Sequence, residues 1–130
     1  MAKSKRIVMA RLGMDAHWRG SIIVARALRD AGMEVIYLGS QLPEGIVQSA
    51  IQEDADVIGL SSLSGNHRVL APEVVRLLRA RGAGDITVVL GGTVSPDDVA
   101  PLKEAGIAEV FGPGTPPETI TRFIAGIANG

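Results

Sequence analysis

Short apolar runs alternate along the chain with segments whose apolar residues recur every three to four positions, and this alternation repeats five times. Ile7–Ala10, Glu34–Leu38, Val57–Leu60, Ile86–Leu90 and Glu109–Phe111 read as strands, being short, apolar and bounded by turn residues. A helical period follows each of them. Ser21 to Ala31 predicts a helix with Ile23, Ala27 and Ala31 on one face and Gly32 as its stop. Pro43 to Glu53 predicts a helix burying Ile46, Val47, Ala50 and Ile51, and Pro72 to Arg81 one with Val74, Val75, Leu77 and Leu78 inward. Ser95-Pro96-Asp97-Asp98 resembles a capping box with proline in the first turn, and the helix it opens stops near Gly106. Thr115-Pro116-Pro117-Glu118 is a second such cap, opening a last helix that runs to about Ala128.

Strands apolar on both faces, each followed by a helix, imply a parallel sheet covered on both sides. Right-handed crossovers and five units give a flavodoxin-like (Rossmann-like), doubly wound five-stranded α/β sheet of order 2-1-3-4-5. The 130 residues suit a single domain, with its core over about residues 5–125. Ligands of such sheets bind outside the carboxyl ends of the strands, where the strand order reverses between the first and third. The loops to inspect therefore start at Arg11, Ser61, Gly91 and Gly112.

Composition narrows the function classes. A net charge of −1 and 3% aromatic residues provide neither a basic surface nor a stacking platform for nucleic acid. The absence of cysteine excludes disulfides and Cys-based zinc sites and fits a reducing, cytoplasmic setting. The basic start is followed by an apolar run, Ile7 to Ala10, too short for a signal-peptide core or a membrane span. No nucleic-acid or membrane partner is expected.

The first loop reads Asp15-Ala16-His17-Trp18-Arg19-Gly20. A neutral imidazole there can offer one nitrogen to a metal while a carboxylate two residues away takes the proton on the other, setting the tautomer and raising basicity. Gly20 would let a bulky ligand approach the backbone. Alone, a loop histidine is more often a solvated residue. Ser61-Ser62-Leu63-Ser64-Gly65 can donate to a buried heterocycle nitrogen or simply permit turns; Gly91-Gly92 can admit a ligand against the backbone or serve as a plain turn. The fifth loop, Phe111-Gly112-Pro113-Gly114-Thr115, is also stripped of bulk. Four loop mouths on one edge without large side chains, Trp18 apart, imply a deep slot into the domain.

Together these residues resemble a known signature. Asp15-x-His17-x-x-Gly20, then Ser61-x-Leu63 after 40 intervening residues, then Gly91-Gly92 after a further 27, is similar to the three-part motif of cobalamin-binding domains in the methylmalonyl-CoA mutase family. The text of Ala25–Ile36, Ile51–Asp54 and Phe111–Thr115 resembles the family too, so the likeness runs from about Lys5 to about Ala125. The resemblance implies the cobalamin-binding small subunit of an adenosylcobalamin-dependent acyl-CoA mutase, an isomerase acting on methylmalonyl-CoA, isobutyryl-CoA or 2-hydroxyisobutyryl-CoA. It implies that the cofactor's dimethylbenzimidazole leaves cobalt and enters the slot, and that His17 replaces it as lower axial ligand, supported by Asp15. Arg19 and Gly20 would border the cofactor. Ser61 would contact the buried base, Leu63 line its pocket, Gly91 and Gly92 pass the nucleotide tail, and Gly112 and Thr115 border that tail. The partner implied is a large subunit whose substrate barrel, needing about 200 residues or more, holds the acyl-CoA. The chain departs from the family at Ala16, where glycine is usual, at Trp18, where aspartate is usual, and in a second loop, Gly39–Pro43, one residue shorter. A corrinoid carrier for methyl transfer and a cofactor-free interaction module of the same fold are the alternatives.

Overall fold

The computed structural model describes residues 5–12, 19–62, 67–92, 94–112 and 114–127. Five strands, β1 (Arg6–Leu12), β2 (Glu34–Gln41), β3 (Val57–Ser62), β4 (Thr87–Gly92) and β5 (Glu109–Phe111), alternate with five helices, α1 (Arg19–Asp30), α2 (Pro43–Gln52), α3 (His67–Ala80), α4 (Pro96–Glu104) and α5 (Pro117–Ala125). The strands form one parallel sheet in the order β2-β1-β3-β4-β5, as the alternation of patterns implies.

The two-residue period of the strands divides the core. Val8, Ala10, Ile58, Leu60, Val88 and Leu90 meet Ile46, Val47 and Ala50 of α2, Ala71, Val74 and Leu78 of α3 and Leu102 of α4. Ile7, Met9, Val57, Val89 and Phe111 point the other way, toward Ala25 and Leu28 of α1 and Ile124 of α5. Phe111 and Phe123 add an edge-to-face pair with ring centroids 5.7 Å apart. The amino end of the sheet is pinned by Arg6. Its backbone N–H donates to Asp56 Oδ2 at 2.9 Å, its Nε pairs with Glu34 at 2.7 Å, and Nη1 donates to the Glu53 carbonyl at 2.7 Å.

Four expectations need correction. The inward face of α1 is Ala25 and Leu28 with Val24, not Ile23, Ala27 and Ala31; Ile23 is 51% exposed. Equal hydrophobicity at neighbouring positions leaves the helix rotation undetermined until the helix meets the sheet. Helix α3 begins at His67, five residues before Pro72, so that proline lies inside the helix and removes one backbone donor there. Thr115 does not cap α5: Pro116 is the N-cap residue, without a side-chain bond, and the Thr115 hydroxyl donates to the Gly112 carbonyl at 2.7 Å. Helix α5 closes at Ala125 rather than about Ala128, the latter lying outside the described residues. The Ser95 cap of α4 is present, its hydroxyl accepting from the Asp97 N–H at 3.3 Å.

Gly106 closes the turn from α4 to β5 at φ +111, and a Cβ there would stand 2.7 Å from Val75 Cγ1 and 2.8 Å from Arg79 Nη2. Gly106→Ala is expected to destabilise the chain by about 2 kcal/mol through backbone strain and overpacking, lowering the midpoint of urea unfolding at unchanged slope. No helix among the described residues is long and apolar enough to cross a membrane.

Candidate binding slot

The parallel register arranges the face toward α1 and α5 in levels. Ile7 pairs with Val57; one step toward the carboxyl edge Met9, Gly59 and Val89 stand side by side; one step further Arg11, Ser61, Gly91 and Phe111 do so. Side chains on this face are therefore smaller toward the carboxyl edge: valine gives way to glycine and serine along β3, and to glycine along β4. The helices do not follow the sheet inward, and a cavity of about 380 Å³ remains. Its floor is sheet, from Ile7 and Met9 to Ser61 and Gly91; its walls are Ile23, Val24 and Leu28 of α1 and Pro117, Ile120 and Ile124 of α5. Gly92, Gly112, Gly114 and Thr115 rim the mouth. The volume suits a small-molecule or cofactor moiety, and the walls are almost wholly hydrocarbon.

The glycines explain why the slot stays open. A Cβ on Gly91 would make only ordinary contacts, 3.8 Å to the Phe111 carbonyl oxygen and 3.9 Å to Phe111 Cβ, and at Gly112 it would meet nothing within 4 Å. The fold itself tolerates a side chain at both positions; what a side chain would occupy is the slot or its rim. Gly59 is tighter, 3.4 Å from Met9 Cγ. Gly92 differs again, because its φ of +125 is a conformation other residues rarely adopt.

Polar groups are few and placed at the carboxyl edge. Ser61 is half-buried at the mouth, and Thr115 is already engaged with Gly112. Arg11, level with Ser61 on β1, has a buried Nε with no hydrogen-bond partner among the described residues. A Cβ on Gly39 of β2 would come within 3.7 Å of its Nη2. At the outer strand Glu109 is held below the ordinary carboxylate range, first by a hydrogen bond from Lys103 and then by the Val110 N–H. Its folded pKa being depressed, that pairing stabilises the fold above the unfolded carboxylate pKa and is lost as pH falls through the folded value.

Five of the expected site residues, Ser61, Gly91, Gly92, Gly112 and Thr115, line this one slot. Arg19 and Gly20 form the start of α1. Asp15, His17 and Leu63 lie outside the described residues. Reading from sequence missed Gly59 and Met9 on the floor and the apolar wall of Ile120 and Ile124. A glycine inside an otherwise apolar strand was a readable sign of close approach; the wall residues look like ordinary core until the cavity beside them is seen.

A family model described as the B12 binding domain matches residues 5–120. The 2-hydroxyisobutanoyl-CoA mutase small subunit of Aquincola tertiaricarbonis is 48% identical over 116 residues, covering 88% of this chain and 85% of that protein. The pivalyl-CoA mutase small subunit of Xanthobacter autotrophicus is 45% identical over 123 residues, covering 94% and 82%. The methylmalonyl-CoA mutase of Escherichia coli is 43% identical over 112 residues, 85% of this chain but 16% of that one. Among solved structures, a cobalamin-binding protein from Desulfitobacterium hafniense superposes with a TM-score of 0.82 at 23% identity, covering 95% of this chain and 58% of that one. The signal receiver domain of NarL from Mycobacterium tuberculosis superposes with a TM-score of 0.71 at 17% identity, over 97% of this chain and all of that one, a likeness of fold alone.

Proposed function

Because the chain belongs to the B12-binding domain family, we propose that it is the small subunit of an acyl-CoA mutase and carries adenosylcobalamin with the nucleotide base removed from cobalt and seated in the slot. The observation that carries this reading is the open slot itself. Its lining includes Ser61, Gly91 and Gly92, which belong to the second and third parts of the sequence signature, and at Gly91 the fold has room for a side chain it does not use.

The residues fit such a group. Hydrocarbon walls from α1 and α5 exclude water from an aromatic base, and the Ser61 hydroxyl at the mouth offers a donor to a ring nitrogen. Gly91, Gly92 and Gly112 leave the backbone bare for the connecting tail. His17, in the connection from β1 to α1, would supply a nitrogen ligand to cobalt. Asp15 would accept the proton of its second nitrogen, keeping the first free to ligate. When bound, the cofactor supplies a weak cobalt–carbon bond for radical rearrangement of a carbon skeleton; the chain supplies ligation and orientation.

Two of the relatives are small subunits by name, and on this reading the acyl-CoA, of the branched short-chain type those names carry, is held by a large partner subunit. That partner covers the carboxyl edge. Two exposed apolar residues mark the edge on the side away from the slot: Leu42, 64% exposed between β2 and α2, and Val69, 74% exposed in the first turn of α3. The double variant Leu42→Asp, Val69→Asp is expected to weaken assembly with the large subunit about 10- to 100-fold while cobalamin binding by the small subunit persists; calorimetric titration of one subunit into the other reads the first, and titration of cobalamin into the small subunit alone reads the second.

The direct test is spectroscopic. Apo chain mixed with adenosylcobalamin should give the absorption spectrum of a base-off, histidine-ligated corrinoid. A base-on spectrum identical to that of free cofactor, with no co-elution on gel filtration, would overturn the proposal.

A further inference from the structure

We infer that Arg68 and Asp98 are positioning residues for cobalamin binding: their ion pair ties together the two connections that follow Ser61-Ser62 and Gly91-Gly92, and so pre-sets the mouth between them. The inference rests on the cofactor reading above and extends it to residues that do not line the slot.

Among the described residues Asp98 is the only polar or charged one that is buried, at 8% exposure. It lies in the first turn of α4, and its Oδ1 accepts from Nε of Arg68, in the first turn of α3, at 2.8 Å. Taking a carboxylate out of water is costly, and pairing it returns little net stability. What such a pair does fix is the relative position of the two elements that carry it. Here those elements are the helices that follow β3 and β4. At the sheet end the two connections leave from paired residues, Ser61 opposite Gly91 and Ser62 opposite Gly92. At the helix end they arrive at Arg68 and Asp98. Residues 63–67 and 93–97 are therefore spanned between a backbone pairing at one end and a side-chain pairing at the other. Ser61, Gly91 and Gly92 line the slot, whereas α3 and α4 pack on the opposite face of the sheet. The pair thus acts on the mouth through the connections, without touching the ligand. Loops already held at both ends have less freedom left to lose when a cofactor binds across them. The Arg68 side chain is 69% exposed, so truncating it undoes the clasp without opening a cavity in the core.

The full chain, without a large subunit, is tested as wild type, Arg68→Ala, Asp98→Asn, the double variant and Arg68→Lys. Equilibrium dialysis reads the affinity of each for adenosylcobalamin, and a urea titration of each apo chain reads its stability. Arg68→Ala and Asp98→Asn are each expected to weaken binding about 5- to 10-fold. The double variant should bind no worse than the weaker single variant, because both changes remove one and the same contact. Arg68→Lys should stay within about threefold of wild type, since Asp98 meets a single donor of the guanidinium and not its fork. A pair that serves only stability would lower the urea midpoint of Arg68→Ala and leave its affinity in buffer, where the chain is folded, within about twofold of wild type. That result would overturn the inference while leaving the cofactor reading standing, and so would losses that simply add in the double variant. Should Asp98→Asn fail to fold, the contrast between Arg68→Ala and Arg68→Lys decides alone. A wild-type chain that binds no cobalamin would remove the cofactor reading and this inference with it.

Discussion

His17→Ala is expected to abolish the histidine-ligated spectrum of the bound corrinoid and to weaken its retention at least about 100-fold. Loss of a group that merely orients a metal-ligating histidine costs about 10- to 100-fold, and loss of the ligand itself costs more. The melting temperature of the apo chain, measured alongside, separates loss of ligation from loss of fold. Asp15→Asn should give the intermediate result: ligation retained, affinity reduced about 10-fold or more, since an amide is a poorer acceptor for the imidazole proton than a carboxylate. Exogenous imidazole added to His17→Ala should restore the nitrogen-ligated spectrum in part. A wild-type spectrum from His17→Ala would reject the ligand assignment outright.

Gly91→Leu should have the second large effect, and for a steric reason. Gly91 lies on β4, level with Ser61 on the slot face, and its φ is not in the left-handed region. A Cβ there makes only ordinary contacts, so the strand accepts leucine. The side chain then fills the space between the sheet and α5. Cobalamin affinity is expected to fall about 100-fold or more, with the unfolding midpoint within about 1 kcal/mol of wild type or slightly raised by the added burial. Equilibrium dialysis with cobalamin and a urea titration on the same sample separate the two effects. Undiminished affinity in a folded Gly91→Leu would place the nucleotide tail elsewhere and remove the slot from the site.

The comparison of α1 with β3 shows where local sequence stops being informative. In β3 the alternation of Val57, Gly59 and Ser61 with Ile58 and Leu60 already assigns faces, because a strand has only two. In α1 the residues from Ile22 to Leu28 include apolar choices all around the helix, so the periodicity is satisfied by more than one rotation. Contact with the sheet selects Ala25 and Leu28 and leaves Ile23 over the slot. In α3 the rule that prolines favour the first helical turn points to Pro72 as the start, whereas burial of Ala71 and Val74 in the core cluster holds the helix through that position. In α5, Thr115 has the chemistry of a cap, but its hydroxyl is drawn to the Gly112 carbonyl at the slot rim.

The order of strands, the alternation of buried faces and the three-part signature were determined by sequence alone, because they depend on period, spacing and residue type within single elements. That the small residues of β3, β4 and the last loop face one shared cavity, that Gly59 and Met9 belong to its floor, and that Arg11, level with Ser61, has a buried Nε without a hydrogen-bond partner among the described residues were decided only in three dimensions. A void has no sequence of its own: it exists where helices held apart by the sheet's register fail to fill what the missing side chains leave, and that failure is a property of several elements at once.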